Sequence, residues 1–291
     1  MKLGKRGVWY FFDGLSTAET LRTARRIEEL GYAAIWLPET IGKNPFVLAS
    51  LLLANTSKLV LATGIANIYH REPGVTLATQ MTLAEQSDNR FLLGLGVSHK
   101  PLVEGVRGLT YRPPVATMRD YLTKMAASPY QGVRPSEDPP TVIAALGPKM
   151  LGLAAEACQG AHPYFTSPDH TAMAREILGP DGWLCVEQKV VLEQHPPKAR
   201  TAARAAAQLY TGLPNYRNNW LRMGLSESDL DGGGSDRFID ATFAWGTVEA
   251  IEARIKAHFD AGADHVCIQP VKADGEFGDL DWEALEALAP K

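Results

Sequence analysis

The chain alternates short apolar runs with segments whose apolar positions recur every three or four residues. Runs that stay apolar on both faces and are separated by helical patterns are typical of a parallel sheet covered by helices. The pattern therefore predicts eight strand–helix units in one chain. The predicted strands are Val8–Phe12, Ala33–Leu37, Leu59–Ile65, Phe91–Gly96, Thr141–Leu146, Ala161–Phe165, Leu184–Leu192 and His265–Pro270.

The helical segments carry recognisable start signals. Ser16 and Glu19 have the spacing of a capping box, and Ser167 followed by Pro168 places a cap residue before a proline at the first helical position. Thr247 precedes a third amphipathic segment. Each of these signals predicts a helix that begins at the following residue.

Eight such units in 291 residues favour an α/β fold, a single (β/α)8 TIM barrel that occupies residues 1–291 as one domain. Two irregular stretches, residues 99–140 and 212–236, interrupt the rhythm after the fourth and seventh strands. Because barrel active sites are built from the loops at the carboxyl ends of the strands, we expect these insertions to act as lids or pocket walls.

Composition and charge argue against several classes of protein, among them nucleic-acid-binding and membrane proteins. A net charge of −4 without a long basic run argues against nucleic acid. The apolar run Val8–Phe12 ends at Asp13, which is too short for a signal peptide or a membrane span. Cys158, Cys185 and Cys267 lack any paired spacing, so we expect buried thiols and neither a disulfide nor a metal site. These features predict a cytoplasmic protein that acts on a small molecule.

The third strand carries an unusual sequence, LVLATGIANIYHREP, in which Gly64 is followed by the polar Asn67 and by Tyr69-His70-Arg71. One interpretation is a simple bulge followed by a solvated loop. The other is that Gly64 lets the backbone approach a planar cofactor and that Asn67 faces the barrel mouth. Residue types alone leave both interpretations open.

Two turns at strand ends suit an anion. Gly94 and Gly96 precede Ser98 at the end of the fourth strand, and Gly147-Pro148-Lys149 opens a helix after the fifth. Accessible backbone amides at a turn or at a helix start bind phosphate groups. The two turns together favour a phosphorylated ligand.

Five segments taken in order resemble the luciferase-like flavin and deazaflavin oxidoreductases. They are GYAAIWLPE, LATGIANIYHREP, RFLLGLGVSH, AALGPKMLGLAAEACQGAHPYFTSPDH and AGADHVCIQP. The resemblance extends from Val8 to about Leu288 and is greatest to the actinobacterial-type subgroup that depends on the deazaflavin coenzyme F420. It implies the TIM-barrel fold, a deazaflavin cofactor and a homodimer.

The resemblance also assigns residues. It places a non-prolyl cis peptide behind the cofactor ring at Gly64–Ile65, and phosphate-binding turns at Gly96-Val97-Ser98 and Leu146-Gly147-Pro148. We expect Tyr164 to line the same pocket.

Two positions depart from the family pattern. Glu39 stands where relatives often have aspartate, and Thr40 replaces the histidine that follows it there. His99 stands where some members have a glutamate that donates a proton. We therefore expect His99 and Glu39 to be the catalytic acid–base groups, with the pKa of Glu39 raised by enclosure.

The predicted reaction is hydride transfer between coenzyme F420 (8-hydroxy-5-deazaflavin) and an unidentified small organic substrate. Two alternatives stay open: a monooxygenase that uses flavin mononucleotide (FMN), and a non-catalytic barrel that binds a flavin or deazaflavin. The sequence has no HExxH, GxSxG, Walker A or Rossmann fingerprint, so metalloprotease, hydrolase and nucleotidase functions have no support.

Overall fold

The computed structural model describes residues 1–275 and 278–290. Its strands are β1 (Arg6–Trp9), β2 (Ala34–Leu37), β3 (Val60–Thr63), β4 (Ala66–Asn67), β5 (Phe91–Gly96), β6 (Thr141–Ile143), β7 (Gly160–Ala161), β8 (Trp183–Val191), β9 (Phe243–Trp245) and β10 (His265–Pro270). They pair in parallel in the order β10-β1-β2-β3-β5-β6-β7-β8, and β8 pairs with β10. The sheet is therefore a closed eight-stranded barrel, as predicted, in which β4 continues the interrupted third strand.

Helices surround this barrel. They are α1 (Thr17–Glu29), α2 (Pro45–Asn55), α3 (Pro73–Gln86), α4 (Pro114–Ala127), α5 (Pro148–Ala157), α6 (Pro168–Leu178), α7 (Pro196–Thr211), α8 (Pro214–Arg222), α9 (Glu227–Leu230), α10 (Asp236–Thr242), α11 (Val248–Asp260) and α12 (Trp282–Ala287). The predicted caps are confirmed: the side chains of Ser16, Ser167 and Thr247 accept backbone hydrogen bonds at the starts of α1, α6 and α11. Short helical turns also lie at Ile68–His70, Pro101–Val106 and Asp231–Gly233.

Several predicted strand boundaries were wrong. The first strand ends at Trp9 instead of Phe12, and the sixth covers only Gly160–Ala161 instead of reaching Phe165. The sixth stops early because Pro163 has no N–H for a ladder and Phe165 has a left-handed backbone with φ of 59°. The strand β9, which pairs with the end of β8, was not predicted.

An extra residue interrupts the third strand. Ala62 pairs with Leu92, and four residues later Ala66 pairs with Leu95, which is only three residues further along β5. Such a count defines a bulge. The Thr63 hydroxyl fills the gap in the ladder, since it donates to the Gly94 carbonyl at 2.7 Å and accepts from the Gly94 N–H at 2.8 Å.

A buried ion pair lies inside the barrel on β8. The Lys189 Nζ is 3.3 Å from the Glu187 carboxylate, and both side chains are fully buried. Burial lowers the pKa of Lys189 to about 8, although Glu187 favours the charged amine. The same ammonium lies 3.7 Å from the ring centre of Tyr164, and Glu187 accepts the backbone N–H of Phe165 at 2.8 Å. The pair thus fixes the backbone where the sixth barrel strand ends.

The substitution Thr63→Val should lower the free energy of unfolding by about 2 kcal/mol, because it leaves a buried donor and a buried acceptor of Gly94 unpaired. Thr63→Ser keeps the hydroxyl and serves as the control. Chemical denaturation of both variants measures the difference. Equal stability of the two variants would show that the hydroxyl bridge contributes nothing.

Candidate active site

The interrupted third strand forms one wall of the barrel mouth. The peptide between Gly64 and Ile65 is cis, which confirms the prediction. The Trp9 indole N–H, at the end of β1, donates to the Gly64 carbonyl at 2.9 Å. A Cβ atom at position 64 would lie 2.9 Å from the same indole nitrogen, so only glycine fits here without displacement. The Trp9 indole on β1 and the Thr63 hydrogen bonds to Gly94 on β5 therefore hold this wall from two sides.

The first predicted phosphate turn packs directly against this wall. A Cβ atom at Gly96 would lie 2.5 Å from the Ile65 side chain and 3.4 Å from the Cβ of Ala144 on the other side. The turn continues through the half-buried Val97 to Ser98, whose φ of 54° is left-handed. The structure thus brings the Gly64–Ile65 wall and the Gly96–Ser98 turn together.

Glu39 lies at the centre of a charged cluster at the end of β2. Its carboxylate accepts from Arg71 Nη1 at 2.8 Å and from the backbone N–H of Asn67 at 2.7 Å. The His70 Nδ1 is 3.3 Å away. Asn67 is fully buried, and its side chain binds the Tyr69 N–H and the His70 ring. The cluster ties the ends of β2 and β4 together.

The expected rise in the pKa of Glu39 was wrong. Burial does raise it, but the Arg71 guanidinium and the Asn67 N–H outweigh burial and hold the pKa below its usual range. Glu39 is therefore a carboxylate near neutral pH. In this state it accepts hydrogen bonds and cannot donate a proton.

His99 lies apart from Glu39, and none of the described contacts joins the two side chains. Its Nδ1 is 3.1 Å from the Asn215 Oδ1, and its ring lies 5.5 Å from the Tyr216 ring, both of which belong to α8. Burial lowers the pKa of His99, and the Asn215 hydrogen bond offsets only part of this. His99 is thus a half-buried, neutral imidazole near pH 7.

The second predicted phosphate turn is completed by a side chain that the sequence did not indicate. Gly147 is the N-terminal cap of α5, and no side chain caps this helix start. A Cβ atom at Gly147 would lie 3.7 Å from the Arg222 guanidinium. His170 is fully buried and bonds the Leu146 carbonyl at 2.8 Å. The amides of a helix start beside an arginine fit a phosphate group.

Tyr164 belongs to an aromatic cluster that begins at the end of the sixth barrel strand. Its hydroxyl is 2.8 Å from the Tyr210 hydroxyl and donates to Gln269 at 2.8 Å. Its ring centre is 5.0 Å from that of Trp9. Trp9 and Gln269 line a small cavity of about 30 Å³ at the ends of β1 and β10. Tyr164 therefore contacts two residues that line this cavity, and its hydroxyl group is already hydrogen-bonded.

The segment after β5 contacts the rim of the mouth. Arg107 donates to the Thr40 carbonyl at 3.0 Å, and the Tyr111 ring lies 5.7 Å from that of Tyr69. The backbone N–H of Arg112 donates to the Tyr69 hydroxyl at 2.9 Å. Residues 107–112 thus extend across the ends of the second and third barrel strands.

Sequence reasoning missed Trp9 and Arg222. Trp9 had a signal, since it is an aromatic residue at the carboxyl end of a barrel strand. Arg222 had none, because it reaches Gly147 from a segment that is distant along the chain.

Residues 1–275 and 278–290 contain neither a metal-binding cluster nor a membrane-spanning helix. No group of three His, Cys, Asp or Glu side chains is placed to hold a metal ion there. Within that same part of the chain, every helix is too short or too polar to cross a bilayer.

The amino-acid sequence matches a known protein family and its members. The family described as luciferase-like monooxygenase matches residues 6–265. A Mycobacterium tuberculosis protein, named as a coenzyme F420-dependent oxidoreductase, is 26% identical over 255 residues, which is 73% of each chain.

Solved structures share the fold. The coenzyme F420-dependent tetrahydromethanopterin reductase of Methanopyrus kandleri superposes with a TM-score of 0.75 at 18% identity, covering 99% of this chain and 98% of its own. The oxygenating constituent of 3,6-diketocamphane monooxygenase from Pseudomonas putida, in complex with FMN, gives 0.67 at 15% identity, with 98% and 97% covered. Since the family match spans most of its length, this chain belongs to the luciferase-like monooxygenase family and is an enzyme of that oxidoreductase superfamily.

Proposed function

We propose that this enzyme transfers a hydride between coenzyme F420 and a small organic substrate. The observation that carries the proposal is that the Gly64–Ile65 wall and the uncapped helix start beside Arg222 follow the third and fifth barrel strands, with the Gly96–Ser98 turn of the fourth strand between them. A ring would pack against the wall, and a phosphate would bind the donors at the helix start. The name of the mycobacterial relative supports a deazaflavin as the ligand.

When bound, the deazaflavin supplies a ring carbon that takes up or releases a hydride. The protein's share is to hold the ring against the wall and the phosphate against the turns. In this proposal the cofactor-binding residues are Gly64, Ile65, Asn67, Gly96, Val97, Ser98, Leu146, Gly147, Pro148 and Tyr164. Asn67 takes part through its position beside the wall, because its side chain is engaged by Tyr69 and His70 and its backbone by Glu39 and Arg71.

His99 is the proposed proton-transfer group. With its Nδ1–H donated to Asn215, the neutral ring presents Nε2 as an acceptor. A neutral imidazole takes a proton from a substrate hydroxyl or amine, so this state suits oxidation of the substrate.

Glu39 has a different part in the proposal. Its ion pair with Arg71 and its contact with His70 keep these two side chains at the rim of the mouth. We propose that it acts in catalysis as a fixed negative charge that orients His70, and that it exchanges no proton.

FMN is the second candidate cofactor, because the camphane monooxygenase that shares the fold holds FMN. Titration of the purified protein with both cofactors, followed by fluorescence, separates the two. We expect coenzyme F420 to bind at least tenfold more tightly, a difference of about 1.4 kcal/mol. A tenfold preference for FMN would instead favour a monooxygenase. Tight F420 binding without turnover of any substrate would favour the non-catalytic barrel.

The substitution His99→Gln should lower turnover about 100-fold, at the lower end of general acid–base effects. Turnover is measured as the loss of deazaflavin absorbance with the best substrate from a panel of small alcohols and amines. Glutamine keeps a hydrogen bond to Asn215, so affinity for the cofactor should change little. The exposed His195, changed to Gln, is the matched control. Unchanged turnover in His99→Gln would remove this residue as the base.

The pH dependence of oxidation follows from the lowered pKa of His99. The neutral base predominates above that pKa, so the midpoint of the acid limb of the turnover profile should lie below pH 6.5, the ordinary pKa of a histidine. A wild-type profile that already falls at pH 7 would contradict this assignment.

We also propose a homodimer that uses α2 and α3. α2, with the sequence PFVLASLLLAN, is apolar on most of its surface. Val47 on α2 and Val75 on α3 are 71% and 57% exposed, and Ile41 nearby is 69% exposed. Apolar side chains this exposed on neighbouring elements mark an interaction surface.

The double substitution Val47→Glu/Val75→Glu should convert the dimer to a monomer, as measured by sedimentation velocity. Charges at a self-complementary interface face each other and repel. Val133→Glu, at a loop residue that is 74% exposed, is the control. A double variant that sediments like the wild-type protein would exclude this interface.

A further inference from the structure

The small cavity at the carboxyl ends of β1 and β10 lies between two strands that are neighbours in the closed sheet. Its volume of about 30 Å³ is close to the share of one water molecule in the liquid. Trp9, which lines the cavity, also donates to the Gly64 carbonyl at 2.9 Å. The cavity therefore lies one residue away from the Gly64–Ile65 wall, and it has room for one small group.

Gln269 brings a free amide nitrogen to this cavity. The residue is 7% exposed, and its Oε1 accepts the Tyr164 hydroxyl at 2.8 Å. Its Nε2 has no hydrogen-bond partner within residues 1–275 and 278–290. This nitrogen is not sealed in the interior, unlike the unpaired nitrogens of His162 and Asn219. Because Gln269 lines the cavity, its Nε2 is available to donate to a group that enters there.

Two tyrosine hydroxyls determine which end of this amide is free. The Tyr164 hydroxyl is 2.8 Å from the Tyr210 hydroxyl and 2.8 Å from Gln269 Oε1. When Tyr210 donates to Tyr164 and Tyr164 donates to Oε1, both hydroxyl protons are paired. A reversed amide would donate to Tyr164 and leave the proton of the buried Tyr210 without an acceptor among the described residues. Since an unpaired buried donor is costly, Nε2 is the end that stays free.

The other polar groups of the lining are engaged or exposed. The side chains of Trp9 and Tyr10 donate to backbone carbonyls. Lys272 and Asp279 are exposed and carry opposite charges. The buried part of the lining is thus largely apolar with one donor. It suits an uncharged oxygen, whereas an ammonium has no lone pair to accept with, and a carboxylate would exchange its hydration for a single hydrogen bond.

We infer that Gln269 determines substrate specificity: its Nε2 donates to a carbonyl, hydroxyl or ether oxygen on the small end of the substrate that enters this cavity. The inference rests on the proposed function, because the group in the cavity belongs to the substrate of that reaction. It adds the chemical class of this group, which is a neutral oxygen acceptor and neither an ammonium nor a carboxylate.

The test measures the binding of two probes to the purified protein by saturation-transfer difference NMR at pH 7, without added cofactor. Acetone only accepts hydrogen bonds, and isopropylammonium, which has the same carbon skeleton, only donates them. The wild-type protein should bind acetone at least tenfold more tightly. Gln269→Glu keeps an acceptor for Tyr164 and replaces the free donor with an oxygen, so it should reverse the preference. Gln131→Glu, at an exposed loop residue, should retain the wild-type preference.

A second variant covers a folding defect in Gln269→Glu, which circular dichroism would reveal. Gln269→Leu removes both amide atoms at a similar volume, so it should weaken acetone at least tenfold with no gain for isopropylammonium. Unchanged acetone affinity in this variant would overturn the inference. Wild-type protein that binds neither probe, or that prefers isopropylammonium, would overturn it as well.

The same samples are titrated with coenzyme F420 in a separate measurement. Failure of the wild-type protein to bind F420 would overturn the proposed function. Failure of the probe preference with normal F420 binding would overturn only the role of Gln269. The two failures are distinguishable because the probes are measured without the cofactor.

Discussion

The barrel mouth depends on one extra residue in the third strand. Without this residue, the hydrogen-bond ladder between the third and fourth barrel strands would be continuous, and Ile65 would occupy an ordinary strand position. With it, Thr63 bridges the gap to Gly94, Ile65 packs against Gly96, and the Asn67 N–H reaches Glu39. A single bulge therefore shapes the Gly64–Ile65 wall, the Gly96–Ser98 turn and the charged cluster around Glu39 together.

Glu39 and His99, the two residues predicted to transfer a proton, have surroundings that favour different charge states. Glu39 is buried among groups that favour its charge, with Arg71 and a backbone N–H on its oxygens, so it stays ionised. His99 is half-buried beside Tyr216 and a neutral amide, so it loses its charge. Burial alone would predict a neutral group at both positions, which is correct for His99 and wrong for Glu39. The partners decide the charge of each group, so a neutral imidazole and a carboxylate lie at different parts of the mouth.

Much of this structure could be predicted from the sequence because its signals are local. Apolar runs located the barrel strands, and Ser16, Ser167 and Thr247 capped the expected helices. Where a strand stops was less predictable, because the bulge and the left-handed Phe165 depend on neighbouring strands. The pKa of Glu39 and the role of Arg222 could not be predicted, since both depend on partners that are distant in sequence.

Helix α8 contacts two separate parts of the candidate site, His99 and the turn at Gly147. Asn215, Asn219 and Arg222 lie at positions i, i+4 and i+7, so they share one face of this helix. Asn215 holds His99 at one end, and Arg222 lies at Gly147 at the other, about 10 Å along the axis. The residues at Gly147 come from the barrel framework, whereas Asn215 and Arg222 come from a single helix outside it. In the proposed function, the arginine beside the phosphate and the hydrogen-bond partner of the base therefore belong to one rigid element, and the spacing of residues along α8 sets the distance between them.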